Sequence, residues 1–277
     1  MAHLIQYSTD ASHYDGPFGG GHPWLSAGMG YLIVTDQGDV IAVDGGHPVD
    51  AEDFLALIEE NSPNSTIDTW IITHPHIDHY SALRGIVMDH PDRIKIKNIV
   101  FRFPPEFKDG DGNGILDVIS YMDEVLEKSG ARHIIPSVGD TLNVGSAEIK
   151  FYFTPEDISF VFGKNSLSLI FSVTADGKKV MITGDSGRDI LERVVKKFGD
   201  ELKCDVIQLP HHGLCDTGHA EFYSAADPDT VLIPTSKGGY MAMQREEYSE
   251  SGEPNRNVEA SASQVYRSFE GTVKIAL

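Results

Sequence analysis

Four potential metal ligands lie close together in residues 73–80, whose sequence is THPHIDHY. His74, His76 and Asp78 alternate along the chain, so their side chains share one face of an extended backbone. His79 is expected to turn inward where the chain enters a helix. Imidazoles and a carboxylate packed this densely are ligands that suit Zn²⁺ and similar divalent ions. This segment therefore predicts a metal site.

Two later segments place titratable side chains directly after predicted strands. Asp185 lies in MITGDSG, behind a strand predicted over residues 179–183. His211 and His212 lie in QLPHHG, at the end of a strand predicted over residues 205–209. The ends of these two predicted strands therefore carry one carboxylate and two imidazoles.

Hydrophobic periodicity predicts the elements that position these residues. Beyond those two strands, it predicts a hairpin over 30–44 and strands over 69–73, 97–103, 148–153, 167–173, 230–234 and 272–276. Helices are predicted over 49–61, 81–88, 115–128, 188–198 and 258–269. Two β-rich halves that each carry helices indicate an α/β fold, an αββα sandwich of two mixed sheets flanked by helices. We predict a single domain over residues 1–277.

Two polar, glycine-rich stretches, residues 8–21 and 237–257, are predicted to be mobile loops. Such loops often border functional sites. Together with other loop positions they supply candidate substrate contacts, namely His22, Trp24, Tyr80, Lys237 and Tyr240.

The composition limits the classes of partner. The chain has 22 Lys and Arg against 42 Asp and Glu, a net charge of −20. Nucleic-acid binding depends on cations that displace counterions, so extended DNA or RNA is disfavoured and a small-molecule substrate is expected. The sequence shows no signal peptide and no apolar run near the ~20 residues that span a bilayer, which predicts a cytoplasmic protein without membrane contact. Cys204 and Cys215 are expected to be reduced thiols.

The spacing His74-x-His76-x-Asp78-His79 resembles the HxHxDH signature of the metallo-β-lactamase superfamily. Asp185 resembles the bridging aspartate of that superfamily, and the hairpin that ends in Asp44-Gly45-Gly46 resembles its early strand-DxG element. The resemblance implies the superfamily's αββα fold.

Within the superfamily, one branch is the most similar. Asn165-x-x-Ser168-Leu169, Gly184-Asp185 and His211-His212-Gly213 resemble the branch of the ComEC competence proteins and the phosphorylcholine esterases. The resemblance to this branch implies hydrolysis of a phosphodiester or a related ester.

The resemblance also implies a ligand set. His74 and His76 would hold one metal ion, Asp78 and His79 would hold a second, and Asp185 would bridge the two. One residue of the pair His211 and His212 would complete the second site. His212 is favoured, since the family often has His followed by Gly there, and His211 would then contact the substrate.

One family ligand has no counterpart. Many members carry a further His before the bridging aspartate, but residues 154–157 are TPED. Asp157, Asn165 or water are alternatives for that position, and occupancy by one metal ion stays open. His133 is expected to be structural.

The implied reaction is attack by a metal-bound hydroxide, with one or two divalent ions as cofactor. Zn²⁺ is favoured, with Mn or Fe as alternatives. Asp78 would orient the nucleophile while it binds metal, His211 would donate to the oxyanion or the leaving group, and Asp44 would fix an imidazole tautomer. The expected substrate is a small-molecule phosphodiester or related ester. The alternatives are a nuclease, a lactone or thioester hydrolase, and a metal-binding module without catalysis. The oligomeric state stays open.

Overall fold

A computed structural model describes residues 1–9, 28–159, 161, 163–214, 217–244 and 250–277. Its strands, in chain order from β1 to β14, are His3–Gln6, Gly30–Val34, Val40–Asp44, Thr66–Ile71, Lys95–Val100, Arg132–Ile134, Thr141–Val144, Ala147–Phe153, Ile170–Ala175, Lys178–Ile182, Val206–Gln208, Thr230–Ile233, Gln264–Arg267 and Val273–Ala276. Its α-helices, in chain order from α1 to α7, are Ala51–Asn61, Ile77–Asp89, Leu116–Ser129, Arg188–Phe198, Ala220–Ala226, Lys237–Met243 and Glu253–Ser261.

The strands form two seven-stranded sheets, ordered β14-β1-β2-β3-β4-β5-β6 and β13-β12-β11-β10-β9-β8-β7. Both sheets are mixed. In the first, β3 to β6 run parallel to one another, while β1 is antiparallel to β14 and to β2. In the second, β10 to β13 are parallel and β7 to β10 are antiparallel. Parallel neighbours place their carboxyl ends at one edge, so polar loops after such strands can converge.

Three apolar layers explain why the two sheets stack. Ile41 and Ile71 of the first sheet share a buried cluster with Phe171 and Leu232 of the second, so this cluster is the core between the sheets. A second cluster joins the outer face of the first sheet to α1, α2 and α3. A third joins the outer face of the second sheet to α4, α5 and α7. The predicted αββα sandwich is confirmed.

The structure corrects several element predictions. The helix predicted over 258–269 is wrong, because α7 ends at Ser261 and β13 follows it. Ser263 and Gln264 donate their backbone N–H groups to the Asp229 carbonyl, at 2.9 and 3.1 Å, and this contact leads the chain into the sheet beside β12. The expected loop over 237–257 contains α6 and the start of α7. Most of the predicted loop over 8–21 lies outside the described residues.

The helix after the His-rich segment also differs from its prediction. It begins at Ile77 rather than near Ser81, so Asp78 and His79 both project from its first turn. Only His74 and His76 lie in the preceding non-helical chain. A carboxylate in the first turn of a helix is favoured by the helix dipole, which helps to explain the early start.

Candidate metal centre

Four loops meet at one end of the sandwich. They follow β3, β4, β10 and β11, which are parallel neighbours within each sheet. Leu169 N donates to Thr73 O at 3.0 Å and so connects the second sheet to the first. Within the second sheet, His211 N donates to Gly184 O at 3.0 Å and connects the loops after β11 and β10. The loops that carry the sequence-predicted ligands are therefore fixed relative to one another.

The predicted ligands fall into two groups that share Asp185. The first ligand group is His74, His76 and Asp185, and the second is Asp78, His79, Asp185 and His212. Within each group, one ligand atom from every residue lies within 4.8 Å of the others. The structure thus brings these residues together in the two groups that the resemblance implies, and their binding of metal stays a prediction.

The separations within these groups suit a shared cation. Asp185 Oδ2 lies 3.5 Å from His74 Nε2, 3.4 Å from His79 Nε2 and 3.5 Å from His212 Nε2. These distances exceed the usual range of an N–H···O hydrogen bond. Two atoms that each bind Zn²⁺ at about 2.0–2.2 Å lie roughly 3.4 Å apart in tetrahedral geometry. The donor set and its spacing therefore fit divalent metal ions.

Asp44 orients His79 from behind. It is fully buried and accepts three hydrogen bonds, from Thr73 N at 2.8 Å, Thr73 Oγ1 at 2.8 Å and His79 Nδ1 at 2.7 Å. Its own carbonyl accepts from Trp70 Nε1 at 2.6 Å. A proton held on Nδ1 leaves the Nε2 lone pair of His79 for a metal, as in other metal sites with a carboxylate behind the imidazole.

His212 and His74 are oriented in the same way by neighbouring oxygens. His212 Nδ1 lies 2.6 Å from the Pro234 carbonyl, and this acceptor requires the proton on Nδ1. His74 Nδ1 lies 3.2 Å from Thr73 Oγ1, whose own proton is directed to Asp44. Both rings therefore present Nε2 to the site. His212 also has a φ of 57°, a left-handed conformation that is strained for this residue type.

The charges of the site compensate one another. Burial would raise the pKa of Asp78 and of Asp185, but the neighbouring histidines, with His79 the largest contributor, together outweigh it and hold both pKa values well below their usual range. Burial would lower the pKa of His79 and of His212, but Asp185 is the main cause that raises both, that of His212 to about 10. Without a cation, the imidazolium groups therefore balance the carboxylates.

His211 lies beside the ligands and is more accessible than they are. Its side chain is 31% exposed, against 6% for His212, and its Nε2 lies 3.9 Å from Asp185 Oδ2. Asn165 Nδ2 lies 3.1 Å from the same ring nitrogen. The structure thus places His212 within the second ligand group and His211 at its open side.

Other sequence-predicted positions lie elsewhere. Asp157 is exposed in a cleft with Arg193 and Lys197, so it does not replace the absent family histidine. Tyr80 is buried in the core under α2 and α3, and the expectation of a substrate contact is wrong there. His133 stacks on Phe101 with ring centroids 3.9 Å apart, a structural contact as expected.

The remaining candidates divide between the site border and the undescribed chain. Tyr240 lines a small cavity next to His212, where its hydroxyl donates to Glu259 Oε1 at 2.8 Å. Lys237 is exposed at the start of α6. His22, Trp24 and Cys215 lie outside the described residues. Cys204 is buried, which raises the pKa of its thiol to about 12, and it is a free cysteine as expected.

Two residues near the site were not singled out from the sequence. His47 is buried, its pKa is lowered to about 4 chiefly by burial, and the charges of Asp78, His212 and His79 act on it. Its position directly after Asp44-Gly45-Gly46 was the available signal. Lys164 immediately precedes Asn165, and its charge acts on His76.

This fold and ligand arrangement define a metal-dependent enzyme class, and the comparisons identify the family. The chain belongs to the metallo-β-lactamase superfamily, whose family model matches residues 25–235. Over 176 residues it is 25% identical to ComE operon protein 3 of Bacillus subtilis (strain 168), a match that covers 62% of this chain and 20% of that protein. This similarity fits the ComEC-like branch, and the chain spans only a fifth of that relative's length.

Solved structures share the fold at low sequence identity. Zn²⁺-bound PqqB from Methylobacterium extorquens has a TM-score of 0.60 and 10% identity, with 99% of this chain and 100% of that one covered. A diphosphatase from the PhnP family has a TM-score of 0.53 and 10% identity, with 100% and 98% covered. The chain is thus an enzyme of this superfamily. Among the described residues, no helix is long and apolar enough to cross a membrane.

Proposed function

We propose that this protein is a hydrolase that uses divalent metal ions, with Zn²⁺ favoured, to cleave a small-molecule phosphodiester or a related ester. The observation that carries the proposal is the pair of ligand groups that share Asp185. When bound, two cations would lower the pKa of a shared water and neutralise charge that develops on a phosphoryl or carbonyl oxygen. Their binding residues would be those of the first and second ligand groups.

The residues around these groups have separable roles. Asp44, Thr73 and the Pro234 carbonyl hold imidazole protons away from the site, so the Nε2 atoms stay available. Asp78 is the least buried carboxylate of the second ligand group, with 19% of its side chain exposed, and we assign it the orientation of the attacking water. We assign His211, whose side chain is 31% exposed, the donation of a proton to the leaving group or the oxyanion. Its Nε2 accepts from Asn165 Nδ2, so the proton to be donated is carried on Nδ1.

The proposed substrate is a small molecule on electrostatic grounds. A net charge of −20 disfavours a polymer that carries one phosphate per nucleotide. A single phosphoester requires only local positive charge, which bound cations would supply. A cytoplasmic location is part of this proposal.

The proposal is tested with the metal-loaded protein and bis-p-nitrophenyl phosphate. Wild type should bind metal and release p-nitrophenol, whereas Asp185→Asn should lose metal and turnover together. Asp53→Asn, an exposed change on α1, is the matched control and should behave as wild type. A wild-type protein that binds metal yet cleaves no phosphodiester, carboxylic ester or thioester would show that the hydrolase proposal is wrong.

Nucleic acid is tested separately. Short oligonucleotides should show neither cleavage nor salt-dependent binding to the metal-loaded protein. Cleavage that weakens steeply with added salt would instead support the nuclease alternative.

A further inference from the structure

A short 3-10 turn, Lys164–Leu167, lies between β8 and β9 of the second sheet. It borders the end of the sandwich where the ligand groups lie. Backbone hydrogen bonds fix both of its ends: Ser166 N donates to Gly163 O at 3.0 Å, and Ser168 N donates to Asn165 O at 3.0 Å. The next residue, Leu169, is bonded to the Thr73 carbonyl just before the first ligand group. The turn is therefore positioned relative to the site by backbone contacts.

Asn165 contacts the site directly. Its Nδ2 lies 3.1 Å from His211 Nε2. Its Oδ1 is buried and has no hydrogen-bond partner among the described residues. This oxygen can accept a hydrogen bond from a donor group of a ligand, and unmet buried acceptors are uncommon in folded proteins.

Lys164 brings a cation to the same place. Its side chain is half-buried, and no described carboxylate lies within the 4.0 Å limit of an ion pair. Lys97 and Lys178, by contrast, are paired with Asp68 and Asp205. Lys164 directly precedes Asn165, whose amide contacts His211, so it belongs to the turn that borders the ligand groups. The charge of Lys164 also makes a small contribution to lowering the pKa of His76, which is lowered chiefly by burial.

We propose that Lys164 is a specificity-determining residue that binds an anionic oxygen of the substrate on the side of His74 and His76. Lysine suits this role because its ammonium is a compact point charge on a flexible stem, and it can follow a phosphoryl oxygen without a fixed orientation. Charge-assisted hydrogen bonds of this kind are about twice as strong as neutral ones. The inference rests on the proposed function and adds that the preferred substrates are anionic.

The test compares Lys164→Met, Lys164→Arg and wild type, all loaded with metal. The matched control is Lys95→Met, because Lys95 is exposed at the amino end of β5, on the opposite edge of the sheet. Calorimetric binding of inorganic phosphate gives a readout that does not depend on turnover. The second readout is kcat and KM for bis-p-nitrophenyl phosphate and for p-nitrophenyl acetate, which is uncharged.

Lys164→Met should bind phosphate about tenfold more weakly, equivalent to about 1.4 kcal/mol. It should raise KM for the phosphodiester, leave KM for the acetate unchanged, and keep the wild-type metal content and melting temperature. Lys164→Arg should restore most of the phosphate affinity. Salt screens the attraction between Lys164 and the anionic substrate, so the wild-type KM for the phosphodiester should rise with salt. The KM of Lys164→Met should rise less, because this variant lacks that charge.

The outcomes separate this inference from the proposed function. If Lys164→Met binds phosphate as tightly as wild type, or raises KM equally for both substrates, the inference is wrong even when wild type is an active phosphodiesterase. If phosphate binding depends on Lys164 but wild type hydrolyses nothing, the anion site stands and the proposed reaction is wrong. If Lys164→Met loses metal, Lys164 has a structural role and the inference is also wrong.

Discussion

Replacing Asp44 by Asn should weaken metal binding without unfolding the protein. Asp44 accepts from Thr73 N, Thr73 Oγ1 and His79 Nδ1 at 2.7–2.8 Å. An amide retains one oxygen but presents an NH₂ group to one of these partners. Where that group faces His79, the ring must accept at Nδ1 and carry its proton on Nε2. The Nε2 lone pair that a metal needs is then lost.

The expected loss follows from the behaviour of hydrogen-bond partners behind metal ligands. Their removal typically costs 10–100-fold in metal affinity. Asp44→Asn should therefore weaken metal binding by roughly 10–100-fold, equivalent to about 1.4–2.8 kcal/mol. Backbone strain should not contribute, since residue 44 has a φ of 52° and Asn adopts this left-handed region readily.

Asp44→Ala should be much more damaging. It leaves three buried donors without an acceptor, and each such group costs about 1–3 kcal/mol. The loss of folding free energy should be roughly 3–9 kcal/mol, with added strain because Ala has no polar side chain that hydrogen-bonds locally at a positive φ. The two substitutions together therefore separate the tautomer effect from simple destabilisation.

The assay is competition with a calibrated chelator near neutral pH, combined with thermal unfolding of the metal-free protein. Asp53→Asn is the control, because it removes the same charge from an exposed position on α1. If Asp44→Asn holds metal as tightly as wild type, the reasoning that Asp44 fixes the His79 tautomer is refuted, whatever its effect on melting temperature.

Two further predictions concern the paired histidines and pH. His212→Ala should lower the metal content, whereas His211→Ala should keep it and reduce kcat by about 10²–10⁴-fold; equal metal loss in both would contradict the assignment. Against the effect of burial, the carboxylates of Asp185 and Asp78 together raise the pKa of His212 to about 10 and that of His79 well above its usual value. Metal must displace these protons, so affinity should rise with pH, with about two protons released on binding near neutral pH. Titration calorimetry in buffers of different ionisation enthalpy measures this release, and a value near zero would contradict the charge assignment.

The ligands could be predicted from the sequence because each follows an apolar strand. His74, Asp185 and His212 lie at strand ends within the two sheets, and the alternation of parallel strands with helices brings such ends together. The sequence alone does not decide which of His211 and His212 is the ligand, because adjacent residues differ in the direction in which their side chains point. The turn at residues 211–213 places His212 against the Pro234 carbonyl and leaves His211 at the open side.

Other features depended on contacts distant in sequence. The helix predicted over 258–269 failed because Val265 and Tyr266 pair with β12, and tertiary pairing outweighed the apparent helical pattern. Strands β1, β6 and β7 were not predicted; they are short and are defined by pairing with β2, β5 and β8. Asp157 has the chemistry of a substitute ligand, but it lies in an exposed cleft. Lys164 and Asn165, further along the same loop after β8, lie at the site instead.

The net charge of −20 does not conflict with an anionic substrate, because charge acts locally at such short range. The carboxylates of Asp78 and Asp185 are already balanced by imidazolium groups in the metal-free site. Exchange of those protons for divalent cations makes the site more positive, since each ion brings two charges for each proton that leaves. Lys164 adds a further positive charge at the same edge. An acidic surface that repels polynucleotides can thus surround a centre that attracts a single phosphoester. A long polymer would meet the repulsion of the whole surface, whereas a small substrate would meet mainly the charges of the site, so we expect the substrate to be small.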